Sequence, residues 1–558
     1  VNAVDIRETV ASPETVLAVF RGMSARMTPE EVHARTRALF EGDVVRSVYV
    51  TPEAGEANEE QLRLALATEA IVDTSARLAA QSISFDELPP VGTPGTVTSE
   101  GPLGILAVEQ VNFDNGVRAL LWSNNAEPGR VTVRVRFGSG YRAFDASSAV
   151  YATIGEMALV GSGLGELGQN EIDRLATGRK LGFEFEIDDG VFAFTAQTRS
   201  EDVADQLYLF AAKLGMPRWD ADPVIRAKAA AELAYNTFST SPAGMINRDL
   251  EYLVTNRDPR FATPDPAALQ QVTPEGFRQV WEPLLTQGPI EVLVFGEFDR
   301  DAIVTKLAET FGALPPRAPI PADVVARVPD FAEASAVPTV LTHRGDGNQA
   351  AAVIAWPSGG GVTSIRESRQ IEILTQLFNN RLLEALREKA GASYAPQVFS
   401  KWPTDLESGG TITALAQLEP EFVPIFFAEA DRIAKDLAAN PPTADELDRV
   451  TEPLAQLIRR ASTGNTFWLY NLEGSTTDPR RVALLRSLLA DYSRTSPQVM
   501  QFLADRYFGQ RAPLRLAVIP EGQTLAEVTP LPVDGGTLTG VSAAPSTVIQ
   551  SAEEIVGR

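Results

Sequence analysis

The sequence predicts an α+β chain built of two similar α/β sandwich domains, each a sheet covered by helices, preceded by the end of another domain. Three observations predict it. A helix-then-strand module occurs three times, the stretches between the copies repeat one order of elements, and only 27 residues precede the first copy.

The first copy of the module is TPEEVHARTRALF from Thr28, followed by GDVVRSVYVTPE. The second is TPEGFRQVWEPLL from Thr273, followed by GPIEVLVFGEFD. The third is SPQVMQFLADRYF from Ser496, followed by APLRLAVIPEG. In each, a hydroxyl residue stands where an N-cap accepts a backbone hydrogen bond, and proline follows at the first helical position, where its missing N–H costs nothing. About ten amphipathic residues and a turn then lead into an apolar run that reads as a strand. Three copies in one chain indicate an internal repeat.

The copies begin 245 and then 223 residues apart. Residues 1–86 are therefore expected to be the C-terminal remnant of a preceding domain, with 59–80 helical. A Pro/Gly stretch at 87–104 reads as an exposed linker. Residues 105–313 and 339–522 form the two whole domains, joined by a linker at 314–338. Residues 523–558 read as an extended tail. Each whole domain opens with strands, FDNGVRALLW and RVTVRVRFGSG in the first and AAAVIAW in the second. A helix follows near 147–160 or 365–387, then a strand pair, then two helices. Strands and helices cluster rather than alternate strictly, as α+β architectures do.

Composition removes several function classes. The 558 residues carry a net charge of −24, a field that repels phosphate backbones and argues against nucleic acid. There is no cysteine, so disulfide and thiolate chemistry are excluded. The two histidines, His33 and His343, are 310 positions apart, which is incompatible with most histidine-based zinc sites. His33 reads as a solvated helix residue and His343 as part of a polar turn before a strand. No G-x-S-x-G elbow occurs. Gly163–Gly168 matches G-x-G-x-x-G, but a helix rather than a strand precedes it, so it reads as a loop and not a dinucleotide fingerprint. Pro357–Gly361 reads as a simple turn.

One segment is more specific. In NRLLEALREKAGASYAPQ, residues 380–397, a stripe of Ile371, Leu374, Phe378, Leu382 and Ala385 marks one helical face. Arg387 lies near the end of that helix, Gly391 is placed to terminate it, and Tyr394 begins the next strand. This segment resembles the Arg…Tyr element in the C-terminal half of the pitrilysin and insulin-degrading-enzyme family of inverted-zincin metallopeptidases, to which the mitochondrial processing peptidases are related. The resemblance implies that Arg387 and Tyr394 act in trans, binding the substrate carbonyl and stabilising the tetrahedral intermediate opposite a zinc-bearing half. FDNGVRALLW resembles the opening strands of that family's zinc domain. There a later helix carries His-x-x-Glu-His; here the corresponding YATIGEMALVGSG holds Ala152, Gly155 and Glu156, which leaves no metal site in this chain.

The resemblance thus implies the non-zinc half or subunit of a zinc-dependent endopeptidase, inactive alone. Its expected partners are a zinc-bearing His-x-x-Glu-His half and a peptide substrate. The chain itself is expected to hold no cofactor, with zinc in the partner half, and to insert in no membrane. The alternative is a non-catalytic scaffold or peptide-binding subunit of the same fold. By analogy the compartment is periplasmic, with any signal upstream of Val1, or else cytoplasmic.

Overall fold

The computed structural model describes residues 11–24, 26–42, 46–50, 58–68, 83–390 and 395–525. The chain divides into two units, 1–82 and 83–558.

The first unit contains helices α1 (Pro13–Ser24), α2 (Pro29–Leu39) and α3 (Glu59–Ala67). The expected cap is present: the Thr28 hydroxyl accepts from the Glu31 amide. Asn58 and Gln61 form a reciprocal capping box on α3. No described residue of this unit is buried, and Leu39, Phe40, Val48 and Val50 are more than four-fifths exposed. The strand expected after α2 is not formed at 46–50. An apolar run becomes a strand only beside a pairing partner, and no strand occurs among the described residues of this unit.

In the second unit, the first sheet comprises β1 (Val97–Pro102), β2 (Glu109–Phe113), β3 (Arg118–Ser123), β4 (Arg130–Phe137), β5 (Glu184–Ile187), β6 (Phe192–Arg199) and β7 (Glu291–Gly296). Their order is β1-β2-β3-β7-β4-β6-β5. The helices of this domain include α4 (Ala149–Gly161), α5 (Val203–Gly215), α6 (Ala221–Phe238), α7 (Pro242–Val254), α8 (Pro274–Leu284) and α9 (Arg300–Glu309). The second sheet comprises β8 (Thr339–His343), β9 (Ala350–Pro357), β10 (Gln397–Lys401), β11 (Thr411–Leu418) and β12 (Leu514–Pro520), in the order β10-β11-β9-β12-β8. Its helices include α10 (Ile365–Ala390), α11 (Val423–Ala439), α12 (Ala444–Ala461), α13 (Asn465–Leu472) and α14 (Pro497–Ala504).

The repeat is visible in the pairing. After the module's capped helix, β7 runs parallel to β3 and antiparallel to β4. After the third copy, β12 runs parallel to β8 and antiparallel to β9. The second sheet is the first without its β1–β2 hairpin. Both caps hold, with the Thr273 hydroxyl on the Gly276 amide and the Ser496 hydroxyl on the Val499 amide.

One face of each sheet packs on its own helices. Val131, Val133, Val135 and Phe137 alternate along β4 into a core with Phe277 and Trp281 of α8. Ala350, Ala352, Ile354 and Trp356 do the same along β9, against α10 and α11. The opposite faces are covered by exchange. Met245, Ile246, Leu253 and Val254 of α7 pack on Val353, Ala355, Leu516 and Val518 of the second sheet. Leu469 and Leu472 of α13, with Leu485, pack on Leu120, Leu293 and Phe295 of the first. The two lent helices are equivalent, since each is the helix after its domain's helix pair.

An ionic layer completes this junction. Arg134 and Arg136 lie on the face of β4 opposite the apolar core, at 1% and 5% exposure. Arg134 donates to Glu186 and Glu473, both at 2.8 Å. Arg136 donates to Asp405 at 2.7 Å and to Glu291 at 3.3 Å. Glu291 also accepts from the Gly474 and Thr476 amides and the Thr476 hydroxyl. Arg481 holds the other oxygen of Asp405 at 2.7 Å.

Several expectations are corrected. The stretch 87–104 is not a free linker: it supplies β1, and Gly92 and Gly95 lie against the backbone of Ala313 and Gly312 too closely for a side chain. The 105–313 and 339–522 divisions cut β1 from the first sheet and do not follow the packing, because α7 and α13 cross over. His343 is not a turn residue. It ends β8, fully buried, with Nε2 at 2.7 Å from the Gln349 carbonyl and Nδ1 accepting from the Gly345 amide. Residues 69–80 of the expected helix and 526–558 of the expected tail lie outside the described residues.

The exchange predicts that the two whole domains melt together. Truncating Leu469 to alanine should cost about 2–5 kcal/mol by opening a cavity on the first sheet. Unfolding of residues 83–525 should shift as one transition, and two resolved transitions in urea would contradict the interlocked junction.

Candidate functional site

Helix α4 carries Ala152, Gly155 and Glu156, the three residues that the sequence resemblance sets against His-x-x-Glu-His. Ala152 is buried and Glu156 is open, and both line a cleft of about 550 Å³. Gly155 faces elsewhere. A Cβ there would overlap the Trp281 indole, which lies on α4 and donates to the Tyr151 carbonyl at 3.0 Å. The bare α4 backbone is thus the packing surface for α8. Ala152 and Gly155 offer no ligand atom, so these residues do not fit a zinc ion. Among the described residues, no group of three His, Asp or Glu side chains is arranged to hold a metal.

The cleft lies where the two domains meet. Tyr141, Ile187, Asp188 and Asp189 line it from the first domain, Glu251 from α7, and Phe399, Ser400 and Lys401 from β10. Lys401 bridges Glu251 at 2.7 Å and Asp189 at 3.1 Å. Tyr141 is pushed up to about 12, first by burial and then by Glu156, Asp189 and Glu251, so its phenol stays protonated. None of the cleft's charged residues outside α4 stands in a sequence motif. They are brought together only by the domain junction.

The Arg387 segment is placed as its stripe predicts. Ile371, Leu374, Phe378, Leu382 and Ala385 are all buried against the second sheet. Arg381 fixes the helix to its neighbours through Asp436 at 2.7 Å and Glu446 at 2.9 Å. Arg387 is exposed near the C-terminal end of α10. Gly391 and Tyr394 lie outside the described residues, and the strand that follows begins at Gln397.

Gly163–Gly168 follows α4 and forms a loop, as its context predicts. Beneath it, buried Lys213 of α5 donates to the carbonyls of Ser162 and Gly163. His33 is exposed on α2. Pro357–Gly361 is a turn, in which the Gly361 carbonyl accepts from Trp402 at 3.0 Å.

Residues 271–454 match the model of the peptidase M16 inactive domain, and the chain resembles the non-zinc half of that family. The span runs from the end of the first domain through β8–β11 and most of α12. No curated protein sequence matches the chain. Among solved structures, the periplasmic protease PqqL from Escherichia coli has a TM-score of 0.65 at 13% identity, covering 89% of this chain and 51% of its own. The peptidase M16 inactive domain from Pseudomonas fluorescens has a TM-score of 0.63 at 16% identity, covering 74% of this chain and 98% of its own. A protease from Helicobacter pylori has a TM-score of 0.62 at 15% identity, with 74% and 99% covered. The chain therefore spans about half the length of the Escherichia coli protease. At these identities the likeness is one of fold.

Burial lowers the Lys213 ammonium to about 7, opposed by Asp220. Below that pH both folded and unfolded states are protonated. Between about 7 and 10.5 only the unfolded state holds the extra proton, so stability should rise with pH. In urea titrations from pH 6 to 10, Lys213→Met should lose this rise, while parallel curves for the two proteins would show an unshifted lysine.

Proposed function

We propose that this chain is the non-zinc half of a zinc-dependent endopeptidase. It closes a proteolytic chamber against a His-x-x-Glu-His half or subunit of the same family and presents Arg387 and Tyr394 to the substrate. The observation that carries this reading is the conjunction of an emptied metal helix with an exposed arginine at the end of α10, inside the stretch that matches the M16 inactive domain. The half-length coverage of the Escherichia coli protease supports a missing half. The periplasmic location of that protease supports the same compartment here. No helix among the described residues is long and apolar enough to cross a membrane.

The chemistry asked of this chain is electrostatic. A guanidinium and a phenol donate to the substrate carbonyl, and both bonds strengthen as that oxygen gains negative charge. Zinc and its carboxylate base belong to the other half and supply the activated water. A scaffold or peptide-binding subunit of the same fold would have no use for such donors.

Native mass spectrometry with metal analysis, on the particle from its own cells, should find one copy of this chain with a zinc-bearing half. In that assembly, Arg387→Ala or Tyr394→Phe should lower kcat about 10²–10³-fold, as loss of one oxyanion donor does, with a smaller change in KM. Wild-type turnover would remove both assigned roles. A large zinc-free complex would favour the scaffold.

A further inference from the structure

Among the described residues, the cleft beside α4 is bordered by an edge strand of each sheet. β5 ends the order of the first sheet and β10 ends that of the second, and residues at or next to each line the cavity. Phe399 and Lys401 stand two apart on β10, hence on one strand face, and Phe399 is 43% exposed. A free strand edge with an exposed aromatic is a template for an added strand.

The charges around the cleft are unbalanced. Glu156, Asp188, Asp189 and Glu251 line it, against Arg260 and Lys401. Arg260 is already bound by Asp258, with Nε 2.9 Å from Oδ2. Lys401 is committed to Asp189 and Glu251. Asp188 is left with Arg134 at 3.8 Å, and that guanidinium already serves Glu186 and Glu473. Glu156 makes no ion pair among the described residues.

A second feature is independent of the carboxylates. Tyr141 stands between Phe144 and Phe261 and lines the cleft, and its hydroxyl has no hydrogen-bond partner among the described residues. Lys401 shows what the site holds well: its ammonium sits between two carboxylates and 5.8 Å from the Phe261 ring centroid. A second cation would meet Glu156, Asp188 and the Tyr141 oxygen, with aromatic faces beside it.

We infer that this cleft binds an extended peptide that pairs with the free edge of β10 and places an arginine or lysine side chain between Glu156, Asp188 and Tyr141. The chain's net charge of −24 draws such a peptide in. The helix position that would carry a metal ligand instead carries the carboxylate that reads the peptide's charge.

The test uses the full chain without a zinc half, so it stands or falls separately from the roles of Arg387 and Tyr394. Fluorescence anisotropy compares a labelled peptide of about nine alanine, valine and threonine residues bearing one central arginine with its citrulline analogue. The arginine peptide should bind at least about tenfold more tightly. Glu156→Gln should erase most of that preference while leaving citrulline binding unchanged, and Tyr141→Phe should weaken the arginine peptide about threefold or more. Arginine amide alone should compete at least about a hundredfold more weakly, because it lacks the strand pairing. Equal affinity for arginine and citrulline peptides would overturn the proposal. So would a Glu156→Gln protein of unchanged melting temperature that keeps the full preference, or arginine amide competing as well as the peptide.

Discussion

Two arginines on one strand set the geometry of this molecule. Arg134 and Arg136 point from β4 into the domain junction and are themselves almost wholly buried. Desolvation alone would depress the Arg136 pKa, but Asp405, Glu473 and Glu291 overcome it and hold the guanidinium above its ordinary value. Such a group is stable only while its partners stay in place; removing one partner of a buried pair typically costs about 3–5 kcal/mol. The partners come from both domains: Glu186 and Glu291 from the first sheet, Asp405 and Glu473 from the second domain. The ionic layer therefore tolerates little sliding, whereas a purely apolar junction of the same area would permit several registers.

The exchanged helices turn this fixed register into a shared core. Each sheet in isolation would leave an apolar face in water, on Leu120, Leu293 and Phe295 in one case and Val353, Leu516 and Val518 in the other. Each domain covers the other's face with the helix that follows its own helix pair. The pseudo-symmetry of the repeat thus extends from topology to packing. It also explains why the cleft exists. α7 carries Glu251 across to Lys401, and the β5–β6 turn brings Asp189 to the same ammonium.

On α4, Gly155 has no side chain and the Trp281 indole rests against it. Glu156, on the open side of the same helix, lines the cleft. In the second domain the equivalent helix, α10, is longer and ends near Arg387. Two copies of one architecture thus present different chemistry, an acidic cleft in one and an exposed arginine near a helix end in the other.

The chain's sequence by itself determined the capped helices of the module, the order of elements in the two sheets and the buried face of α10. Capping hydroxyls, N1 prolines and the buried stripe of α10 are local or periodic signals, and local hydrogen bonding and face burial obey them directly. The histidine count excluded most histidine-based zinc sites without any coordinates. Tertiary structure decided the rest. The alternation V-x-V-x-V along β4 marks an apolar face but does not say what covers the other, and only the second domain's approach makes Arg134 and Arg136 interior. Likewise residues 97–102 of the apparent linker become a strand because β2 is present to pair with them, whereas the apolar run at 46–50 has no strand beside it among the described residues of its unit. The cleft joins residues 141, 156, 188, 251 and 401, too far apart in sequence for any spacing to reveal. Their meeting is a property of how two sheets dock, and docking is set by long-range packing and buried charge rather than by local propensity.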